Sequence, residues 1–174
     1  MQIFAFVHCV RAEEITGEEK NIMVRPLVGL DELEVVVEEL SEDAKKINLT
    51  MDDIQRIVEL KLRMAGTKVL SEEESIQSVD SPYVYVNINV SETGRNLFNA
   101  NLSMEVVESA CLQGNNTCDD ITTYHRGRSF SAEKNIAGQF IKDSLKEVTD
   151  SFLNDYFKAN PRTEPVQTIP QNAK

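Results

Sequence analysis

The sequence predicts an α+β fold, a two-layer sandwich of one mostly antiparallel sheet of four to five strands with two main helices on one face. Two observations support this class. Segments 83–90 and 98–108 alternate apolar with polar residues, which is typical of strands with one buried and one solvated face. Segments 51–65 and 131–159 repeat apolar residues at helical spacing. Because 174 residues fit one domain with tails, we expect a single domain over residues 31–160.

The first residues resemble the end of a secretory signal. Residues 3–10 are mostly apolar, and Val10 and Ala12 occupy the two small-residue positions of a signal-peptidase site. We interpret residues 1–12 as a signal-peptide remnant with the true start upstream, and expect a periplasmic or secreted protein. The alternative is a cytoplasmic protein with an N-terminal strand over residues 3–10. Residues 13–30 are predicted to be a polar lead-in.

The first strand and the first helix follow in order. Over residues 33–39 the apolar side chains of one strand face are Leu33, Val35 and Val37. Residues 41–48 are a charged connection. A helix is predicted over residues 51–65, because apolar residues recur there at helical spacing. They are Ile54, Ile57, Val58, Leu62 and Ala65.

Capping residues define the ends of the helices in this region. Thr50 and Asp53 form a capping box at the start of the helix over 51–65. Gly66 ends that helix and leads into a short strand over residues 67–70. A second capping box opens a short helix and consists of Ser71 and Glu74.

Three strands joined by short turns are predicted in the centre of the chain. The strands over 83–90 and 98–108 are connected by a hairpin loop at residues 91–96, which contains a glycine. A third strand is predicted over about 120–126. Together they form a meander over residues 83–126, with the apolar face toward the helices.

The closing helix is predicted over residues 131–159 and ends before Pro161, which cannot continue a helix. Residues 161–174 contain further prolines and no apolar period, so we expect a disordered tail. The predicted apolar stripe of the helix consists of Ile136, Phe140, Ile141, Leu145, Val148, Phe152 and Tyr156.

The unit over residues 33–70 is similar to a strand–helix–strand module of bacterial envelope proteins. It ends in Val58-Glu-Leu-Lys-Leu-Arg-Met-Ala-Gly66-Thr-Lys-Val-Leu70, which contains a Leu-Arg-x-Ala-Gly-like turn. Comparable units occur in the amino-terminal domain of the translocation protein TolB and in outer-membrane assembly lipoproteins. The strand Tyr83-Val-Tyr-Val-Asn-Ile88, the meander and the closing helix extend the resemblance, toward uncharacterised exported families, as far as Tyr156. The resemblance implies an exported α+β domain and assigns no functional residue.

The chain contains three cysteines, Cys9, Cys111 and Cys118. Removal of a signal leaves Cys111 and Cys118, which flank a turn-forming Gly-Asn-Asn segment. We therefore predict a disulfide across the end of a hairpin, worth about 2–3 kcal/mol in the chain-entropy model. Two free thiols in a cytosolic protein are the alternative. No metal site is predicted, because two sulfurs without nearby histidines are half a zinc site.

The charge and the motifs exclude several function classes. With 29 acidic and 18 basic residues the net charge is −11, which disfavours a nucleic-acid partner. The sequence has no apolar run of transmembrane length, so no transmembrane segment is predicted. It also lacks a phosphate-cradling glycine loop and a dinucleotide fingerprint, and no cofactor is predicted.

Candidate binding residues lie on the meander. Tyr83, Tyr85 and Asn87 belong to a tyrosine- and asparagine-rich polar sheet face that suits a peptide or a glycan. Arg126 and Arg128 flank a glycine and suit a carboxylate or phosphate. A hydrated sheet face and a basic hairpin end are the structural alternatives. We therefore predict a non-enzymatic exported domain that binds a protein or peptide partner, or serves envelope assembly.

Two other function classes stay open. A small-ligand carrier would hold its ligand in a cavity between the sheet and the helices. A hydrolase would use His125 as a base beside Ser129 or Cys118, although their spacing matches no triad signature and no catalytic residue is assigned. The sequence does not predict the oligomeric state.

Overall fold

The computed structural model describes residues 24–77, 81–94 and 96–161. These form one five-stranded sheet with four helices, two of them long, packed against it, which confirms the predicted α+β class. The strands are β1 (Glu32–Val37), β2 (Lys68–Val69), β3 (Tyr83–Glu92), β4 (Leu97–Cys111) and β5 (Cys118–Glu133). The helices are α1 (Glu42–Lys45), α2 (Met51–Met64), α3 (Glu72–Gln77) and α4 (Lys134–Ala159).

The strand order in the sheet is β2-β1-β3-β4-β5. β1 runs parallel to β2 and to β3, whereas β3, β4 and β5 form the predicted antiparallel meander. The register brings Val84, Val106 and Tyr124 side by side across the meander. A β-bulge shifts the pairing with β5 between Val106 and Val107.

The core lies between the sheet and the two long helices. Alternate residues of β3 and β4 are buried on this covered face, because strand side chains point to opposite faces in turn. From α4, Ile141, Leu145 and Phe152 enter the same core. The largest fully buried side chains include Phe98, Phe152, Leu27, Leu33, Leu49, Ile54, Leu62 and Met104.

The predicted capping residues make the expected hydrogen bonds. The Thr50 hydroxyl accepts the Asp53 amide at 3.2 Å at the start of α2. Gly66 has a φ of 83°, the left-handed conformation that ends a helix. Ser71 and Glu74 form the reciprocal capping box of α3, with distances of 2.9 and 3.3 Å.

β5 is longer than predicted, and α4 is correspondingly shorter at its start. The strand continues past residue 126 to Glu133, and the helix begins at Lys134 instead of residue 131. Pairing with β4 keeps this segment extended, since Phe98 lies opposite Ala132 and Ala100 opposite Phe130. The sequence did not predict a strand over this segment, because most of its residues are polar or small.

The buried face of α4 also differs from the predicted stripe at its start. Ile136 and Phe140 are exposed, at 52% and 42% of their surface. Ala137 and Gly138 face the core instead. The cause is close packing: a β-carbon at Gly138 would lie 2.2 Å from the Ile47 carbonyl oxygen, so only glycine allows this approach.

The folded domain begins before residue 31, within the predicted polar lead-in. Leu27 and Leu30 are buried, and a 3-10 helix spans Arg25–Leu27. Tyr156 and Asn160 at the end of α4 anchor the segment by donating to the Leu30 and Leu27 carbonyls at 2.7 and 2.6 Å. A segment this short has no apolar period to recognise.

The structure does not test the remaining predictions for the chain ends. Residues 1–23 and 162–174 lie outside the described residues, with the signal-peptide remnant, Cys9 and most of the predicted tail. Within the described residues, no helix is both long and apolar enough to cross a membrane. The short helix α1 replaces part of the predicted charged connection and buries Ala44.

Candidate functional site

The sheet face opposite the long helices carries polar side chains on three adjacent strands, and we call it the open face. Tyr83, Tyr85, Asn87 and Asn89 of β3 are on it, as predicted from their alternation with buried residues. The register adds partners from the neighbouring strands. They are Asn99, Asn101, Ser103 and Glu105 of β4, and His125, Gly127, Ser129 and Ser131 of β5.

A shallow hollow lies in the middle of the open face, where Gly127 has no side chain. Its volume is about 410 Å³. Asn87 and Ser103 share the register row of Gly127, and Asn89, Asn101 and Ser129 form the next row. His125 completes the lining, together with Leu102 and Arg128, whose side chains belong to the covered face. Amides and hydroxyls therefore dominate the surface that a ligand would meet there.

Serine hydroxyls fix the orientation of two of these asparagines. Ser131 donates to Oδ1 of Asn99 at 2.6 Å, and Ser129 donates to Oδ1 of Asn101. The carboxamide oxygens are thus engaged, and the Nδ2 groups of both asparagines have no hydrogen-bond acceptor among the described residues. The face thus presents oriented donors to solvent.

The tyrosines lie at the end of the open face nearer the disulfide. Burial and the nearby carboxylate of Asp120 raise the pKa of Tyr83 above its ordinary value, so the ring stays neutral at physiological pH. Glu105, in the register row of Tyr85, accepts from Thr122 at 2.9 Å and from Ser103 at 3.3 Å. Tyr85 precedes Asn87, a lining residue of the hollow, by two positions on the same face of β3.

His125 lines the hollow, and its neighbours bear on the hydrolase alternative. It is exposed and lies opposite Glu105, yet its ring makes no hydrogen bond to a described hydroxyl, thiol or carboxylate. Cys118, one of its proposed nucleophiles, is bonded to Cys111. The hydrolase alternative stays a prediction.

The two arginines predicted to bind a ligand lie on the covered side of β5. Arg126 forms an ion pair with Asp155 of α4, and Arg128 forms one with Glu147. Tyr83, Tyr85 and Asn87 are together on the open face, but the arginines are directed to the opposite face. The sequence did not reveal this separation, because Arg126 and Arg128 lay at and beyond the end of the predicted strand.

Arg126 belongs to a partly buried cluster between β5 and α4. The Tyr124 hydroxyl donates to Asp155 at 3.0 Å, and Lys158 donates to the same carboxylate at 2.8 Å. Burial raises the pKa of Tyr124 to about 12, although the hydrogen bond from Arg126 opposes it. Burial would raise the pKa of Asp155, but hydrogen bonds from Lys158, Arg126 and Tyr124 outweigh it and lower the pKa. The cluster fastens the closing helix to the edge of the sheet.

Sequence reasoning missed the contribution of β5 to the open face. His125, Gly127, Ser129 and Ser131 occupy alternate positions, and this period of two was the available signal. It was overlooked because a half-buried strand is recognised by alternating apolar residues, whereas here one face has small and polar residues and the other has arginines.

Cys111 and Cys118 face each other at the end of the β4–β5 hairpin, and their sulfur atoms are joined by a disulfide. Elsewhere in the described residues, no group of three or more histidine, cysteine, aspartate or glutamate side chains is arranged to hold a metal ion.

Comparisons with known proteins give only distant structural likenesses. No protein-family model matches the chain, and no curated protein matches it at a significant level. A solved structure of a minor lipoprotein from Acinetobacter baumannii is 12% identical with a TM-score of 0.36, covering 79% of this chain and 99% of that chain.

PelC from Paraburkholderia phytofirmans, crystallised as a dodecamer, is similar in two structures. They are 9% and 11% identical, with TM-scores of 0.44 and 0.37. Both alignments cover 74% of this chain, and they cover 90% and 87% of the respective PelC chains. The resemblance stated from the sequence, to the TolB amino-terminal domain and to outer-membrane assembly lipoproteins, stays a prediction.

Proposed function

We propose that this protein is an exported, non-enzymatic binding domain whose open face holds a neutral, hydroxyl-rich ligand such as a glycan segment. The observation that carries this proposal is the hollow around Gly127, with the Asn101–Ser129 pair in its lining and the Asn99–Ser131 pair in the next row of the open face. Carboxamides and hydroxyls both donate and accept, so they match sugar hydroxyls without requiring a charged ligand.

Geometry supports the open face over the other surfaces. The lining amides are fixed to rigid strands, which preserves their spacing better than a loop would. Tyr83 and Tyr85 share the open face with the hollow, and aromatic rings offer flat apolar surface to the C–H faces of a sugar. The space between the sheet and the helices is filled by side chains such as Phe98, Met104 and Phe152, so the carrier alternative gains no support here.

The disulfide supports export, because such bonds persist in oxidising compartments and are rare in the cytosol. Intact mass after alkylation without reductant tests it. We expect Cys111 and Cys118 to remain unmodified in the purified chain, and to be alkylated only after reduction. Alkylation of both before reduction would contradict the export argument.

A binding experiment tests the ligand class. The full chain is applied to an array that carries neutral oligosaccharides, acidic oligosaccharides and extended peptides. We expect binding to neutral oligosaccharides, with affinity reduced about tenfold or more in the double variant Asn89→Ala/Asn101→Ala, since two ligand hydrogen bonds are removed.

Asn154→Ala is the matched control, because Asn154 is exposed on α4, away from the open face. It should leave the affinity unchanged. Equal affinities in the double variant and the wild type, or binding restricted to acidic oligosaccharides, would contradict the proposal.

A further inference from the structure

The outer edge of β1 is uncovered over most of its length. β2 pairs with β1 only at Glu32 and Leu33, and the Leu70 amide then donates to the Leu33 carbonyl at 3.0 Å. Beyond that point the chain turns away into α3. Of the strands that the structure describes, none lies along the outer side of β1 from Glu34 to Val37.

Val35 and Val37 direct their backbone groups toward this outer side. The amides of Glu34 and Glu38 donate inward, to Pro82 at 3.4 Å and to Val86 at 2.9 Å. Because successive residues of a strand direct their N–H and C=O groups to opposite sides, those of Val35 and Val37 point outward. They form a short, unused ladder that an added strand can complete.

Helix α2 forms the second wall of a groove beside this edge. This wall is one stripe of side chains at every fourth position of α2, consisting of Met51, Gln55, Glu59 and Arg63. The groove has a volume of about 620 Å³ and ends at Leu70, Ser71 and Glu72, where the chain enters α3. A strand edge facing a helix stripe suits an extended segment, whose side chains alternate between the helix and the open face.

The lining of the groove selects the charge of the occupant. Glu34, Glu59 and Glu72 contribute carboxylates, and Arg63, the one cation among the described lining residues, is paired with Glu59 at 2.9 Å. The exposed part of Met51, 41% of its surface, adds an apolar contact. An acidic groove with apolar spots complements a segment that alternates basic and apolar residues.

The other edge of the sheet is guarded. Arg126 and Arg128 reach from β5 to Asp155 and Glu147 of α4 and place charged side chains along that edge. Charged side chains on an edge strand discourage pairing with another chain. The unpaired part of β1 instead carries one carboxylate, Glu34, followed by three valines. A single negative charge disfavours an acidic strand but complements a basic one, so this edge is the better docking site.

We infer that the outer edge of β1 binds a short, extended, positively charged segment of a partner protein as an added strand. The site goes beyond the proposed glycan-binding function, because it uses the edge of the sheet and the side of α2 instead of the open face. Its test therefore succeeds or fails independently of that function.

A capped hexapeptide of alternating lysine and valine is the probe, with a glutamate–valine hexapeptide as the charge control. Titration of the isotope-labelled full chain is followed by amide chemical shifts. We expect saturable binding of the lysine peptide with shifts at Val35 and Val37, and weaker binding at higher salt concentration. The glutamate peptide should not bind.

Two variants separate groove binding from general attraction. Gln55→Trp fills the groove from an exposed position and should weaken binding at least tenfold. Leu60→Trp adds the same ring at a residue of α2 that is 56% exposed and outside the groove, and should change nothing.

The inference is overturned by an absence of saturable binding at millimolar peptide, by equal affinities in both variants, or by shifts confined to the open face. Sedimentation velocity adds one more outcome. A dimer that Gln55→Trp dissolves would show that a second copy of this chain occupies the groove, and would overturn the partner assignment.

Discussion

The two faces of β4 carry neighbouring residues under opposite constraints. Leu102 and Met104 point to the covered face and expose at most 2% of their surface. Asn101 points to the open face and is exposed. The fold requires the buried residues of the covered face, whereas the exposed residues of the open face can vary without disturbing the core. An amide- and hydroxyl-rich pattern on the free side is therefore more informative about binding than about folding.

The largest effect is expected from truncation on the covered face. Leu102→Ala removes buried methyl groups from the middle of the sheet and should lower the free energy of unfolding by about 2–5 kcal/mol. Urea denaturation followed by circular dichroism measures it. A loss below about 1 kcal/mol would mean that the covered face is loosely packed at β4, contrary to the burial of Leu102.

A smaller but more diagnostic effect is expected where α4 approaches the loop after α1. In an ordinary helix interior, glycine to alanine stabilises by about 1 kcal/mol. At Gly138 the added carbon would lie 2.2 Å from the Ile47 carbonyl oxygen, so Gly138→Ala should instead destabilise by about 1–3 kcal/mol.

Gly114→Ala serves as the control for Gly138→Ala, because an added carbon there meets no atom within 4 Å. Its melting temperature should stay close to that of the wild type. Stabilisation by Gly138→Ala would show that the helix lies farther from Ile47 than the structure indicates.

The covered face was largely predictable from sequence, because burial imposes periods that can be counted. Val84, Val86 and Leu102 were assigned to the correct face by strict alternation, and the caps at Thr50 and Gly66 were found by local chemistry. The predictions failed where tertiary contact overrides periodicity. Gly138 admits a close approach that turns the start of α4, and an apolar count cannot detect such a contact.

The open face was only half predictable. Asn87, Asn89 and Asn101 alternate with core residues, so their face follows from the pattern. The contribution of Gly127 and Ser129 depends on pairing between β4 and β5, which involves residues distant in sequence. The partners of Arg126 and Arg128 lie on α4, and no local pattern in the sequence links these elements.

The stability contributed by the cluster between β5 and α4 should depend on pH through Asp155. Its pKa is lower in the folded state than the ordinary value of 3.8, although burial opposes this. A carboxyl with a lowered folded pKa stabilises above its unfolded pKa, and this contribution is lost as the pH falls through the folded pKa. Asp155→Asn should therefore be less stable than the wild type at neutral pH, and the difference should shrink below about pH 4.

Denaturant unfolding at several pH values checks this, with Asp119→Asn as the control, since Asp119 is exposed at the far end of β5. The control should follow the wild type throughout. A constant difference between Asp155→Asn and the wild type from neutral pH to about pH 2 would show that the cluster acts by shape alone, without a contribution from the ionised carboxylate.

The smallest stability effect is expected for Asn101→Ala, one position from Leu102 but on the open face. Asn101 is exposed, and its one hydrogen bond within the described residues is accepted from the Ser129 hydroxyl, so its loss should change the free energy of unfolding by no more than about 0.5 kcal/mol. The same denaturation experiment measures it beside Leu102→Ala. A loss comparable to that of Leu102→Ala would mean that the Asn–Ser pairs hold the sheet together. The polar pattern would then be explained by folding, and the case for a ligand on the open face would lose its main support.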